Sequence, residues 1–345
     1  MLLADRSARG LAGTVLATVL ATVLMGCGGG ERSPLDRTTP PTSVPPAAAT
    51  SPPRPTSVHL APAPWTLAVP ISREVLVTDG TTIYLAGGLD GAGASSGAVR
   101  AIDPASGVQR TVGALTYPVH DAMGVWRDGR IVVVAGGSPP IRTDVQAVTP
   151  GAATTVVGRV PAPPRADHVV AEVDGTIYAL GGGDEAATLL GTVVASSDGG
   201  ATWRAAGSLV EPVRYPAVAV VDGLIYLFGG VRTTGGLDTA SVQRYDPRTQ
   251  QTMVVATLPA PLSHSTAVVL DGVVFLLGGY VDNRRSAQVW RFDPATAAVS
   301  VTGATLAAPV SDSAAVVIGG VGYLVGGEGA DGEPVPTVTV VRPAR

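Results

Sequence analysis

The sequence predicts an all-β fold: a six-bladed β-propeller of four-stranded antiparallel blades over residues 64–345, with the last blade closed by the N-terminal strand. Three observations carry this. A glycine doublet follows an apolar run six times, at Gly87-Gly88, Gly136-Gly137, Gly181-Gly182, Gly229-Gly230, Gly278-Gly279 and Gly326-Gly327. A turn dipeptide precedes each doublet, at Asp79-Gly80, Asp128-Gly129, Asp174-Gly175, Asp222-Gly223, Asp271-Gly272 and Gly319-Gly320. Composition agrees: 44 Gly, 29 Pro and only 14% charged residues suit many short buried strands joined by turns. A period of 45 to 49 residues with four strands per unit is the pattern of propeller blades.

Taken from the N-terminus, Arg6 and Arg9 precede an uncharged apolar run from Leu11 to Met25, too short to span a bilayer comfortably and right for a signal-peptide core. The run ends in Leu24-Met25-Gly26-Cys27, which resembles the lipobox of bacterial lipoproteins. That resemblance implies cleavage after Gly26 and a diacylglycerol on Cys27, so residues 1–26 are expected to be a signal peptide and the product to be lipid-anchored to a bacterial membrane, outside the cytoplasm. Residues 27–63 are rich in Pro, Ser, Thr and Ala, cannot bury a core, and read as an extended tether.

The fifth repeat shows a whole unit. Thr266 to Leu270 and Val273 to Leu277 are continuously apolar, as strands buried on both faces should be, and the Asp-Gly between them supplies the positive φ of a hairpin turn. Gln288 to Asp293 alternates in character, and Ala298 to Thr302 completes the four strands. After Gly327 there is room for one strand only, Thr337 to Val341. The missing fourth is expected from Trp65-Thr66-Leu67, which would hide an otherwise open sheet edge.

The apolar run with its glycine doublet, the aromatic-Asp-Pro of the third strand (Tyr245-Asp246-Pro247, Phe292-Asp293-Pro294, weakened to Ile102-Asp103-Pro104) and the fourth-strand Trp203 resemble the kelch family. The second and third repeats lack the aromatic-Asp pair and should be packed with smaller side chains. Ser196 to Trp203 also resembles the Asp-box of sialidases, a turn solution that carries no catalytic group.

Function is bounded mainly by exclusion. All 23 basic residues are Arg, which removes Schiff-base chemistry, pyridoxal phosphate attachment and a phosphate-loop lysine. One cysteine allows no disulfide and no Cys-ligated zinc. A net charge of −4, with no basic stripe, argues against nucleic acid. No cofactor or metal ligand set is expected, and the chain is expected to be a monomer. Gly91-Ala92-Gly93 resembles a dinucleotide-loop fragment but lies in a turn with no following helix, and no His-Glu-x-x-His occurs.

What remains is the segment leading into each inner strand, which lies on the same face as the loop after the doublet. Arg73, His120, Asp121, Asp167, His168, Arg214, Tyr215, His264 and Asp312 recur there in phase, and are expected to gather at the mouth of the central channel. Arg, His and Asp at one mouth suit a hydroxyl-rich or carboxylate ligand. The sequence therefore reads as a non-catalytic module binding a glycan, peptide or envelope protein. The alternative is a sugar-acting enzyme resembling the kelch-type sialic-acid mutarotases.

Overall fold

The computed structural model describes residues 53–137 and 140–345; the expected signal peptide, Cys27 and the expected tether as far as residue 52 lie outside the described residues. Among the described residues, no helix is long and apolar enough to cross a membrane.

Six four-stranded antiparallel sheets follow one another along the chain. Blade one is Val75–Thr78, Ile83–Ala86, Ala98–Ile102 and Gln109–Ala114. Blade two is Met123–Arg127, Arg130–Gly136, Arg142–Val148 and Thr155–Arg159. Blade three is Val169–Val173, Thr176–Leu180, Thr192–Ser196 and Arg204–Ser208. Blade four is Ala217–Val221, Leu224–Phe228, Ser241–Asp246 and Gln251–Thr257. Blade five is Thr266–Leu270, Val273–Leu277, Gln288–Asp293 and Ala298–Thr305. Blade six takes Ala314–Ile318, Val321–Val325 and Val338–Ala344 from the C-terminal end. The first strands touch in cyclic order, the sixth returning to the first, so they wall a closed axial channel.

The N-terminal strand closes blade six, but it is not the predicted one. Ser57–Pro62 pairs antiparallel with Val338–Ala344, from Ser57 opposite Ala344 to Pro62 opposite Thr339. The folded unit therefore begins before residue 64, and the tether expected over 27–63 gives up its last residues to the sheet. Alternation decides this: Val58 is buried among Val268, Leu306 and Val341, while His59 faces out. Trp65 and Leu67 instead fill the joint between blades six and one. The indole Nε1 donates to the Pro104 carbonyl at 3.1 Å, and Leu67 packs with Ile83, Ile102 and Val338.

The core is not central but lies in the six joints between neighbouring sheets. Each third strand sends one side chain into the joint with the preceding blade. Tyr245 and Phe292 do this with full burial, Ile102 and Val148 with smaller volume. In blade three the corresponding residue is Ser196, opposite Ile177, and Trp203 packs into that joint instead. The Ser196 to Trp203 turn is structural. Asp198 accepts from the Thr202 N–H at 2.9 Å and from the hydroxyls of Thr202 and Ser196 at 2.6 and 2.8 Å. These bonds hold its carboxyl down at about 2.

Four of the five Asp-Gly hairpin turns match expectation; the first lies in a four-residue loop between Thr78 and Ile83 in which only Gly80 has a positive φ. Asp128, Asp174, Asp222 and Asp271 have φ of 47–51° and their following glycines 71–74°, the double positive φ of a type I′ turn. One doublet is out of phase. In the other blades the second glycine N–H donates to the residue two positions before the next blade's left-handed residue, as Gly88 does to Val119. In blade two that donor is Gly136, so the equivalent pair is Ala135-Gly136, with Ala135 at φ 53°. The visible Gly136-Gly137 misled because its turn-to-doublet spacing is one residue longer than in blades three to six and matches blade one, where a longer hairpin turn takes up the extra residue.

Candidate functional site

Each inner strand is preceded by one residue in the left-handed region: Arg73 (φ 56°), Asp121 (52°), Asp167 (61°), Tyr215 (55°), His264 (54°) and Asp312 (54°). For residues with a side chain this conformation is costly, least so for Asp. It is held by a closed backbone ring. The N–H of each donates to the carbonyl of its counterpart in the preceding blade: Asp121 to Arg73, Asp167 to Asp121, Tyr215 to Asp167, His264 to Tyr215, Asp312 to His264 and Arg73 to Asp312, all within 2.8–3.2 Å. Six hydrogen bonds thus lace the six blades around the axis.

Six of the nine residues expected at the mouth form this ring. His120 and Arg214 stand one residue before it and His168 one after. Blade three differs because Val160 to Asp167 is one residue longer than Leu115 to Asp121, which displaces any alignment made on prolines. His168 is consequently buried below the ring rather than at the mouth.

Arg73 is committed. Its Nε donates to Glu328 Oε1 at 2.8 Å, and its terminal nitrogen reaches Asp121 Oδ2 and the Tyr215 hydroxyl, each at 3.2 Å. It therefore ties blade one to blades six, two and, across the channel, four. Burial opposes its charge, but Asp121, Asp312 and Glu328 outweigh that and hold it protonated. Burial pushes Asp312 up to about 7, although Arg73 works against the shift. Burial, reinforced by Asp121, also lifts Asp167 to about 7.

Arg214 is the contrast. Its guanidinium is 3.7 Å from Asp167 and lies 5.5 Å from the Tyr215 ring centroid, but no nitrogen of it makes a hydrogen bond among the described residues. It borders both cavities of the mouth, one shared with His264, Tyr280 and Asn283, the other with His120, Asp167 and Glu185.

Burial pushes the pKa of His120, His168 and His264 down, towards the neutral form. His264 stacks on Tyr215 with centroids 3.9 Å apart. Burial first, then Arg73, Arg214 and Arg285, push it down to about 3. Ser263 Oγ donates to Asp238 at 2.9 Å and lies 2.8 Å from His264 Nδ1. The hydroxyl proton being used, Nδ1–H donates to Ser263 and Nε2 is left as an acceptor. His120 Nδ1 is 2.7 Å from Ser95 Oγ. Gly93-Ala94-Ser95-Ser96-Gly97 fits the Gly-x-Ser-x-Gly spacing, a match that motif reading overlooked, but it lies in the loop between the second and third strands of blade one, not a strand–turn–helix. Ser95 to His120 repeats the tie that Asp238 to Ser263 makes between blades four and five, a loop residue holding the next blade's lead-in.

Sequence reading missed Glu328, Asp238 and Tyr280. Glu328 also binds the guanidinium of Arg285, whose Nε donates to Ser311 at 3.0 Å. A signal for two of them existed. The residue directly after each doublet bridges back to the lead-in segment, as Leu89 does to Ser72, Val231 to Arg214 and Glu328 to Ser311. Tyr280 pairs likewise with Ser263. Among the described residues, no group of three or more side chains is placed to hold a metal ion.

Comparison with known proteins agrees with this geometry. Residues 212–259 and 261–299, blades four and five, match the Kelch motif. Kelch-like protein 35 of Mus musculus is 31% identical over 183 residues, 52% of this chain and 30% of that protein, so the match spans under a third of the relative's length. The solved structure of YjhT superposes with a TM-score of 0.68 at 17% identity, covering 79% of this chain and 95% of the other. The chain is a β-propeller whose fourth and fifth blades match the Kelch motif.

Proposed function

We propose that the protein is an exported, lipid-anchored binding module whose channel mouth takes a hydroxyl-rich glycan. The observation that carries this is Arg214. A guanidinium has five N–H donors, and one left without hydrogen bonds between two cavities is available to an acceptor from outside. Around it stand groups suited to hydroxyls: acceptor carboxylates at Asp167 and Asp238, the Nε2 lone pair of His264, and the half-buried ring of Tyr280. Both signs of charge meet at this mouth, which favours a ligand of mixed donors and acceptors over a polyanion.

The test is a glycan and cell-wall-fragment array probed with the full chain, followed by calorimetry on a hit. Arg214→Ala should weaken binding roughly tenfold or more, since a hydrogen bond to a charged group contributes about 1.5–3 kcal/mol. Asp222→Ala, in a hairpin turn at the other end of its strand, should not. Affinity lost in the turn variant and kept in the arginine variant would reject the mouth. The anchor is supported by Arg6, Arg9 and the apolar run ending at Cys27. Cys27→Ala should move the protein from the membrane to the soluble fraction, and identical partitioning of both forms would exclude an acyl anchor.

A second reading has one observation behind it. Asp167 at about 7, beside Arg214 and Tyr215, is tuned for proton transfer near neutral pH, as a sugar-acting enzyme would need.

A further inference from the structure

Two residues before the side chain that each third strand sends into the joint stands a second one on the same face. In blades two and four it is Gln146, opposite Val133, and Gln243, opposite Leu227. Each is 1% exposed and gives its carboxamide to one residue of the segment that leads into its own blade. Gln146 Nε2 donates to the Tyr117 carbonyl at 3.0 Å while its Oε1 accepts from the Tyr117 N–H at 2.9 Å, and Gln243 makes the same pair with Glu211 at 3.0 and 2.9 Å. Blade five has Trp290 there, buried with Leu258 against Ala260. Blade six has Thr339, opposite Leu324, which is too short to repeat either contact. Tyr117 and Glu211 each stand four residues before a ring residue, and the counterpart on the way into blade six is Ala308. Its N–H and C=O have no hydrogen-bond partner among the described residues. Thr339 and Ala308 border a cavity of about 270 Å³, walled by Leu60, Leu306, Leu324 and Val338 and by no charged side chain. Ala307 and Ala308 are exposed, so the cavity opens to solvent beside them.

We propose that this cavity is a second binding site, separate from the mouth, for a small neutral ligand that carries a primary carboxamide on an aromatic ring. The other blades act as templates for the two halves of that ligand. Gln146 and Gln243 show that the backbone of this segment takes a planar amide, N–H onto its carbonyl and C=O onto its N–H. Ala308 offers the same one donor and one acceptor. Trp290 shows that the joint holds an aromatic ring at the equivalent place, and the walls around Thr339 are aliphatic. With no charged side chain in the lining, a carboxylate or an ammonium would be desolvated without a counter-ion, which selects a neutral ligand. The cavity shares no lining residue with the two at the mouth, so this site does not rest on the glycan reading.

The full chain is titrated with benzamide, benzoate and methyl benzoate, read by calorimetry and by the backbone ¹H–¹⁵N resonance of Ala308. Benzamide should bind saturably at one site and shift that resonance. Benzoate, of the same shape but charged, and methyl benzoate, which cannot donate, should each bind at least tenfold more weakly. Thr339→Gln brings the protein's own carboxamide to Ala308 and Thr339→Trp fills the cavity with an indole, so each should weaken benzamide tenfold or more, while Arg214→Ala should leave it unchanged. No saturable shift at Ala308 overturns the proposal, as does equal affinity for benzamide and methyl benzoate. So does full benzamide affinity in a Thr339 variant that melts as the parent does.

Discussion

Arg165 occupies a position that the other five blades fill with aliphatic side chains. Its carbonyl accepts the second-glycine N–H of blade two, as Ile71, Val119, Val213, Leu262 and Val310 do for theirs. It is 1% exposed and, among the described residues, makes no ion pair with a carboxylate. Its guanidinium donates to Thr192 Oγ1 at 3.0 Å and, at 3.3 and 3.4 Å, to the carbonyls of Gly181 and Thr192, while Nε has no partner. Burial alone lowers its pKa to about 10 from 12.5. Keeping it charged at neutral pH therefore costs roughly 3 kcal/mol, at about 1.4 kcal/mol per tenfold change. The hydrogen bonds offset about 1–2 kcal/mol of this, two of them being long. Arg165→Met, unbranched and closest in reach, should leave the protein about 1–2 kcal/mol more stable, as replacing buried charge with apolar volume often does. Equilibrium urea unfolding reads this as a higher midpoint at unchanged slope. A variant less stable than the parent by more than about 1 kcal/mol would mean that the carbonyl cage more than compensates the charge, and would refute the accounting.

Stability should fall between about pH 6.5 and 8. In that window the unfolded chain has released the protons that Glu74, raised to about 8, and Asp167 and Asp312, raised to about 7, still hold when folded. Below it, His168 and His264, depressed to about 3, oppose the trend, because they take up protons only on unfolding. The loss should total about 2 kcal/mol, most of it from Glu74, so Glu74→Gln should flatten the profile, and a variant that keeps the full slope would contradict the assignment. The first doublet position should separate two substitutions. Gly229→Ala would bring a Cβ to 2.0 Å from the Leu262 carbonyl oxygen at φ +63° and should destabilise by about 3 kcal/mol or more, whereas Ala135→Gly, at the equivalent place in blade two, should stabilise by up to about 1 kcal/mol. Thermal unfolding of the pair checks this, and equal, small effects would show that the doublet conformation is not set by the neighbouring carbonyl.

The blades were legible because their turns are written in residue types that local geometry demands. In four blades Asp-Gly reports a double positive φ, and the doublet glycines sit where a Cβ would meet the next blade's carbonyl, as at Gly181 against Val213. The closing strand was misread because Trp65 suggested a fourth strand by residue type, while the actual strand, Ser57–Pro62, is marked only by Val58 and Leu60 inside a proline-rich stretch. The candidate site was legible as far as its phase. What hid the rest was pairing. Nothing in the sequence distinguishes Arg73, hydrogen-bonded to two carboxylates and a phenol, from Arg214, which hydrogen-bonds to none among the described residues, because the difference lies in Glu328 and Asp121 arriving from other blades.

The ring also explains why so unlike a set of residues can occupy one structural position. Its hydrogen bonds run through main-chain N–H and C=O groups only, so closure asks of each residue a left-handed φ and a free N–H, not a particular side chain. Three blades meet that demand with Asp, which visits this region at least cost. The other three use Arg73, Tyr215 and His264, for which the same φ is more strained. Those three also touch in a chain, Arg73 bonding to the Tyr215 hydroxyl and Tyr215 stacking on His264. Tyr215 and His264 on adjacent blades, met by Arg73 from across the channel, give a near-symmetric backbone a polarised mouth, and it is beside Tyr215 that Arg214 stands open.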